Sequence, residues 1–134
     1  MSRNIYIASS LKNYSRVLQL RDKLVERGFT ITYDWAQAWK EAVESGNTRE
    51  SDEQLRLVAQ MEYAAVCDCS TLLCVLPSGR GGHFELGAAY ALGKNIVILD
   101  ETSGADKIAF HTMPAIRVHN KEEDAIKDVE RLSR

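Results

Sequence analysis

An unbroken apolar run near the middle of the chain constrains the fold more than any other segment. Residues 71–76 read Thr-Leu-Leu-Cys-Val-Leu, and Pro77 ends the run. The run lacks the alternation of apolar and polar residues that a half-exposed strand shows, so we expect a strand covered on both faces. Strands of that kind occur in parallel sheets with helices on either side. The run therefore predicts an α/β protein.

Strand-like and helix-like segments alternate along the rest of the chain. Further strands are predicted at 4–8, 29–33, 95–99 and 115–118, and helices at 14–27, 51–66 and 84–92, with one more at the C-terminal end. Gly28 suits the end of the first helix, and residues 51–54 and 120–123 have the spacing of capping boxes. This order predicts a flavodoxin-like or Rossmann-like three-layer sandwich with a five-stranded parallel sheet.

Three segments carry more detailed expectations. In the helix that follows Ser51, the side chains expected to face the core are Leu55, Val58, Met61 and Ala65. Residues 35–50 are less regular, with Trp35 and Trp39 one helical turn apart, and we interpret them as a lid-like insertion. The alternative is a surface excursion whose tryptophans pack on the core. From Phe84 to Gly93 every residue except Glu85 is apolar or small, which predicts a helix buried almost all round.

Length, charge and cysteine content limit the classes of protein that fit. The 134 residues suit a single domain, 1–134, and the net charge of −2 argues against binding a nucleic acid polymer. No apolar run approaches the roughly 20 residues of a membrane span. No secretory segment is recognised, so we expect a cytoplasmic protein with its three cysteines reduced. The scattered cysteines and histidines indicate neither a metal site nor a cofactor.

Two loops are expected to meet where ligands bind in such sheets. In a flavodoxin-like order, the switch point lies between strands one and three, at their carboxyl ends, which places Ser9–Asn13 beside Ser78–His83. The second loop opens a helix with glycines at 79, 81 and 82 around Arg80, so its backbone N–H groups can bind an anion. The alternative is that these glycines only make a tight turn.

Glu85 is unusual because a carboxylate on an apolar helix is costly to bury. Its place in the first turn favours the anion, so it is either an acid that tunes the helix end or a buried group with a chemical task. A carboxylate held ionised in an apolar pocket suits a nucleophile that attacks an anomeric carbon, where the transition state is oxocarbenium-like.

Residues 76–98, which include Phe-Glu-Leu-Gly at 84–87 and Ala-Leu-Gly-Lys at 91–94, resemble the nucleoside 2-deoxyribosyltransferase superfamily. That superfamily includes the nucleoside 5′-monophosphate N-glycosidases. The resemblance implies that Glu85 is the nucleophile. Asn-Ile-Tyr-Ile-Ala-Ser-Ser at 4–10 is similar to the family's first strand, which implies an active-site role for Tyr6. Ser10 and Lys12 match a phosphate-holding Ser-x-Arg, with lysine in place of arginine.

The chain departs from the family pattern at a second acid, which protonates or binds the leaving base. The family's spacing places it at Gln60, which can hydrogen-bond a base but cannot act as an acid. Asp34 and Glu62 are the alternatives, although Asp34 also fits an ordinary end-of-strand acid and Glu62 an ordinary surface acid. The remaining residues expected to contact substrate are Ser9 and Ser78, Arg80 near the phosphate, His83 near the sugar or the nucleophile, and Trp35 stacked on a base.

The resemblance implies cleavage of the N-glycosidic bond of a nucleoside or nucleoside 5′-monophosphate, by hydrolysis or by transfer to another base. Two alternatives stay open. The residues Pro77 to Glu85 are also similar to the loop of cytokinin-activating phosphoribohydrolases. Gln60 at the acid position instead favours a nucleotide-binding module without turnover. Relatives complete the pocket with a neighbouring subunit, which implies a homodimer or a larger homo-oligomer.

Overall fold

The computed structural model describes residues 2–48 and 50–134. Five parallel strands form one sheet in the order β2-β1-β3-β4-β5, with helices between them along the chain. The strands are β1 (Asn4–Ala8), β2 (Thr30–Ile31), β3 (Thr71–Val75), β4 (Asn95–Leu99) and β5 (Ile116–His119). The helices are α1 (Tyr14–Glu26), α2 (Trp35–Ser45), α3 (Asp52–Asp68), α4 (Gly79–Ala91) and α5 (Glu122–Leu132). Short 3₁₀ turns occur at Leu11–Asn13 and Ala109–Thr112.

The predicted fold class is confirmed, and the apolar run at 71–76 lies where its pattern requires. β3 is the central strand, every one of its residues is buried, and it pairs in register with β1 and β4. Leu72 lies between Tyr6 and Ile96, and Leu73 lies between Ile7 and Val97. A strand buried on both faces gains apolar burial from both helical layers, which is why the run needs no alternation.

The edges of the sheet are shorter or shifted relative to the sequence prediction. The strand predicted at 29–33 is limited to Thr30–Ile31, and the last strand begins at Ile116 because Ala115 has a positive φ of 71°. Gly28, with φ of 89°, follows α1 as predicted. The capping box at Ser51 is confirmed, but the one at Asn120 is wrong: Lys121 is the N-cap residue of α5, with no side-chain cap.

Residues 35–45 form helix α2 and not a lid-like insertion. Asp34 caps the helix by accepting a hydrogen bond from the Gln37 N–H, and Gly46, with φ of 74°, ends it. Trp35 and Ala36 are buried in the core, as the alternative interpretation expected. Arg49, within the segment first interpreted as a lid, lies outside the described residues.

Helix α3 differs most from expectation, because only its C-terminal part packs on the core. Ala65 and Val66 are buried, whereas Leu55 and Met61 are exposed and Val58 is half-buried. α3 leads into the amino end of β3, so its first turns lie near the opposite, carboxyl edge of the sheet. The apolar residues of these turns therefore border a cleft instead of filling the core.

Helix α4 is buried on one face only. Glu85, Leu86 and Ala89 point into the protein, whereas Phe84 is 69% exposed and Leu92 is also exposed. The prediction of a helix buried almost all round is therefore wrong. Among the described residues, no helix is long and apolar enough to cross a membrane.

A buried carboxylate on α5 is surrounded by cationic side chains. Asp128 accepts hydrogen bonds from Arg117, from Arg131 at 2.7 Å and from His119 at 2.8 Å. Burial opposes its charge, but the hydrogen bonds from these three side chains prevail and lower the pKa of Asp128 to about 2. The cluster ties β5 to the last helix.

Candidate active site

A cleft of about 850 Å³ opens at the carboxyl ends of β1 and β3, where the strand order reverses. The two loops expected to meet there do so. The Ser10 N–H donates to the Pro77 carbonyl at 3.2 Å, and the Ser9 hydroxyl donates to the Val75 carbonyl at 2.7 Å. Ser9 is thereby occupied in joining the loops, and Ser10 caps the short turn after β1.

Tyr6 and Glu85 form the floor of the cleft. The Tyr6 hydroxyl donates to Glu85 Oε2 at 2.7 Å, in a buried contact between β1 and the first half of α4. Glu85 is 7% exposed, and Tyr6 is fully buried. Burial and the neighbouring Glu85 and Glu62 carboxyls raise the pKa of Tyr6 far above its usual range, so the phenol remains a donor.

Glu62 on α3 brings a second carboxyl to the same place. It lines the cleft and lies within hydrogen-bonding reach of the Glu85 carboxyl. Burial and the hydrogen bond with Glu62 raise the pKa of Glu85, and the Tyr6 hydrogen bond only partly offsets them. Sequence reasoning expected Glu85 to be held ionised by the helix N-terminus. Burial and the neighbouring acid instead favour the protonated form of Glu85.

The glycine loop forms a cradle beside this pair, made of Ser78 and the first residues of α4. Ser78 is buried, and its Oγ has no hydrogen-bond partner among the described residues. Gly82 accommodates that hydroxyl, since a Cβ at Gly82 would lie 1.8 Å from Ser78 Oγ. Lys12 and Arg80 line the same end of the cleft, are exposed, and form no salt bridge within the described chain. An unpaired buried hydroxyl, the N–H groups of the first turn of a helix and two exposed cations suit an anion.

The opposite wall of the cleft is largely aromatic and apolar. Trp35 donates its indole N–H to the Ile7 carbonyl at 2.6 Å, which fixes the ring against β1. The other large side chains of this wall are Tyr33, Trp39, Leu55, Leu57 and Val58. Such a surface suits a flat heterocycle, because aromatic and aliphatic side chains pack on a ring face.

Three predicted site residues do not line the cleft. Asp34 caps α2 and pairs with Arg21 at 2.9 Å, so it has the structural role that was its alternative. Gln60 is exposed, because it lies two positions and about 200° from the inward-facing Glu62 on α3. His83 contacts the outer side of the loop instead: its Nδ1 lies 2.6 Å from the Gly79 carbonyl, and its Nε2 lies 2.9 Å from Nε2 of His111.

The sequence holds a signal that would have selected Glu62. Val58, Glu62 and Val66 lie four residues apart on one stripe of α3, and Val66 is in the core. Gln60 lies on a different stripe of α3, together with Arg56 and Ala64, and all three residues are exposed. Tyr33 and Trp39 were not assigned to the site, and nothing local marks them, because their places depend on how α2 packs. His111, on the loop after β4, was likewise not identified.

No group of three or more His, Cys, Asp or Glu side chains in the described ranges has a geometry that would hold a metal ion. Comparison with known proteins finds no matching family model and no matching curated protein. Among solved structures, the chain is similar to the CMP N-glycosidase BcmB of Clostridium botulinum. The TM-score is 0.54 at 19% sequence identity, and the match covers 96% of this chain and 98% of the other. At this identity, the likeness supports the fold.

Proposed function

We propose that this protein cleaves the N-glycosidic bond of nucleoside 5′-monophosphates, as a member of the nucleoside 2-deoxyribosyltransferase superfamily. The observation that carries the proposal is the buried hydrogen bond between Tyr6 and Glu85 at the floor of the cleft, with the Glu62 carboxyl beside it. The fold it shares with a CMP N-glycosidase is consistent with this activity. The Glu62 carboxyl beside Glu85 supports turnover over the silent binding module that Gln60 at the usual acid position favours.

The pair of acids suits a two-step displacement. For Glu85 to attack as an anion, its proton would pass to Glu62, and the Tyr6 hydrogen bond supports this transfer because it favours the charge on Glu85. A Glu85 oxygen then forms a bond to C1′ while the C1′–N bond breaks, and Glu62 gives its proton to the departing base. Water next attacks C1′, loses a proton to Glu62 and releases Glu85 with the sugar phosphate. If a second base attacks instead, the result is transfer.

The cradle supports a 5′-phosphate on the substrate. Ser78 Oγ and the N–H groups at the start of α4 would receive the phosphate oxygens, and Lys12 and Arg80 would neutralise its charge. The wall that carries Trp35 and Trp39 would hold the base. The substrate then spans the cleft with C1′ above Glu85.

A chromatographic panel of ribo- and deoxyribonucleosides and their 5′-monophosphates tests the function. Wild-type protein is expected to release free base from at least one monophosphate. The comparison of AMP with dAMP shows whether the protein prefers ribose or deoxyribose. The Glu85→Gln variant is the control, since it keeps the shape of the site without the nucleophile. Failure of the wild-type protein to release a base from every member of the panel would contradict the proposal.

The phosphate assignment has a matched pair of glycine variants on α4. Gly82→Ala would displace the Ser78 hydroxyl and so remove one hydrogen bond to the charged phosphate. A loss of this size is expected to raise the KM for the monophosphate about tenfold. Gly87→Ala is the control, because its Cβ would meet nothing within 4 Å and the residue does not line the cleft. Equal KM values for the two variants would show that Ser78 does not bind the phosphate.

The protein is further proposed to act as a homodimer or a larger homo-oligomer. Large apolar side chains are exposed on α3, on α4 and at the residue after α4, and two of them, Leu55 and Leu57, line the cleft; the others are Met61, Tyr63, Phe84 and Leu92. Apolar surface of this kind beside a site marks an interface. Sedimentation is expected to show an oligomer that Phe84→Lys dissociates, and a monomeric wild-type protein at assay concentration would contradict this part.

A further inference from the structure

The loop between β4 and β5 forms hydrogen bonds with two residues at the start of α4, the N-cap residue Ser78 and His83. We call residues 100–114 the strap. Within it, the Asp100 carboxylate accepts hydrogen bonds from Thr102 and Gly104. Asp106 accepts from the Ser78 N–H at 3.4 Å, and His111 Nε2 lies 2.9 Å from Nε2 of His83. The strap therefore contacts the same residues that form the anion cradle.

We propose that His111 is a positioning residue for the anion cradle, that it acts through His83, and that acidification releases it. The proposal rests on the proposed function of the cradle, because it concerns how that site is held. His83 in turn contacts the Gly79 carbonyl, the first residue of α4, at 2.6 Å. The chain of contacts runs from the strap to the loop that would bind phosphate.

The hydrogen-bond partners determine which ring nitrogens carry protons. The Gly79 carbonyl can only accept, so His83 Nδ1 carries a proton. The Ile108 N–H donates to His111 Nδ1 at 3.3 Å, so that nitrogen is bare and the His111 proton is on Nε2. His111 Nε2–H then donates to the bare Nε2 of His83, which makes the network complete.

The network is consistent only with two neutral rings. A proton on His83 Nε2 would face the His111 Nε2–H, and a proton on His111 Nδ1 would face the Ile108 N–H. The rings lie edge to edge, with planes 14° apart and centroids 5.2 Å apart, as an in-plane hydrogen bond between two imidazoles requires. Charging either histidine therefore replaces a hydrogen bond with a contact between two donors.

The groups that face His111 come from both the strap and α4. Burial and the charges of His83 and Lys107 lower the pKa of His111, while Asp106 and Asp100 act in the opposite direction. The net direction is down, which favours the neutral His111 ring that the hydrogen-bond network requires, and we expect the pair to separate when acid protonates it. The His83 ring is then free to rotate, and its hydrogen bond to the Gly79 carbonyl is lost.

The first test reads the tautomers directly. Long-range ¹⁵N–¹H spectra near pH 7 are expected to show His83 protonated on Nδ1 and His111 protonated on Nε2. The opposite tautomer at either residue, or a charged ring at this pH, would overturn the proposal. This measurement does not depend on turnover.

The second test measures sulfate binding by calorimetry near pH 7.5 and pH 5.5, since sulfate keeps its charge over this interval. Wild-type protein is expected to bind about tenfold more weakly at the lower pH, within the usual range for coupled sites. His111→Ala is expected to bind weakly at both pH values. His111→Gln is expected to bind well at both, because its amide can donate to neutral His83 or, after a flip, accept from charged His83.

The outcomes separate this proposal from the proposed function. If His111→Gln keeps the pH dependence of the wild-type protein, the histidine pair is not its source and the proposal fails. The same holds if both variants bind sulfate as the wild-type protein does. If the tautomers and the sulfate series agree with expectation but no base is released, the positioning role stands and the proposed reaction falls. Should His111→Ala not fold, His111→Gln and the spectra still decide.

Discussion

Two buried carboxylates of this fold have opposite surroundings. Asp128, 5% exposed, accepts hydrogen bonds from Arg117, His119 and Arg131, and its pKa lies well below the usual range. Glu85, 7% exposed, forms no salt bridge with any described residue. Its neighbours are the Tyr6 hydroxyl and a second acid, and its pKa lies well above the usual range.

We infer from this difference that Asp128 stabilises the fold and that Glu85 is available for the proposed chemistry. The charge of Asp128 is fully compensated by groups of the protein, so little interaction is left for a ligand. Among the described residues, Glu85 has the Tyr6 hydrogen bond but no cationic partner, so a developing positive charge in the cleft would be the best partner for its charge. A buried acid without a cation lowers stability, and such acids cluster at functional sites.

The largest expected effect is on Glu85. Glu85→Gln is expected to lower the rate of base release at least about 10³-fold, as the loss of a nucleophile does. Its melting temperature near pH 7 should equal or exceed that of the wild-type protein, because an unfavourable buried acid is removed. Calorimetry beside the chromatographic assay checks both. A large loss of stability would show that Glu85, like Asp128, supports the fold.

Asp128→Asn is the reciprocal experiment. We expect a loss of about 3 kcal/mol in the free energy of unfolding, since one partner of a buried ionic cluster is removed. The kcat of the folded fraction is expected to stay unchanged, because α5 does not line the cleft. Urea unfolding and an assay well below the melting temperature test these expectations. If Asp128→Asn were as stable as the wild-type protein, hydration of the surrounding side chains would stabilise the fold as much as their hydrogen bonds with Asp128 do.

Glu62→Gln is expected to have a smaller effect on turnover. The amide can hydrogen-bond but cannot supply a proton, so kcat should fall about 10²-fold, the usual contribution of a general acid. Substrates with activated leaving groups should lose less, because they need no proton. Gln60→Ala is the matched control on the exposed stripe of α3 and should behave as the wild-type protein. A Gln60 effect equal to that of Glu62 would reverse this assignment.

The smallest expected effect is on the pH dependence of stability. The pKa of Asp128 is lowered to about 2, so its contribution is present above its ordinary pKa of 3.8 and is lost as the pH falls toward 2. The pKa of Glu85 is raised, so its proton stabilises the fold below the ordinary value of 4.5 and this contribution is lost as the pH rises. In melting curves, the decrease in melting temperature toward pH 2 should disappear in Asp128→Asn. The decrease in melting temperature at rising pH should become smaller in Glu85→Gln. Identical pH profiles for all three proteins would contradict both directions.

Local patterns predicted most of the fold because each central strand and helix satisfies its own rule. β3 is apolar throughout and buried on both faces, Gly28 ends α1, and Ser51 caps α3. The meeting of the Ser9–Asn13 loop with the glycine loop follows from the same logic, since the carboxyl ends of β1 and β3 lie together at the switch point, whereas Tyr6 was identified through the family resemblance. The pattern of single elements therefore determined the place of the cleft.

The errors arose where a side chain's neighbour is far away in sequence. Leu55 and Met61 have helical spacing, but spacing does not tell whether the apolar stripe meets the core, a cleft or solvent. Gln60 was chosen by counting residues from a family pattern, whereas the orientation of α3, set by Val66 in the core, turns Gln60 to solvent and Glu62 to the cleft. The contact between His83 and His111 joins residues 28 apart and has no local signature.

The position of the two tryptophans has a practical consequence. Both lie on α2, both line the cleft, and the chain has no others. Trp35 is held rigidly by its indole hydrogen bond, whereas Trp39 is half-buried at the same wall. Tryptophan emission from this protein thus originates entirely at the proposed base-binding wall. Occupancy of the cleft can be followed by intrinsic fluorescence, without a label and in real time.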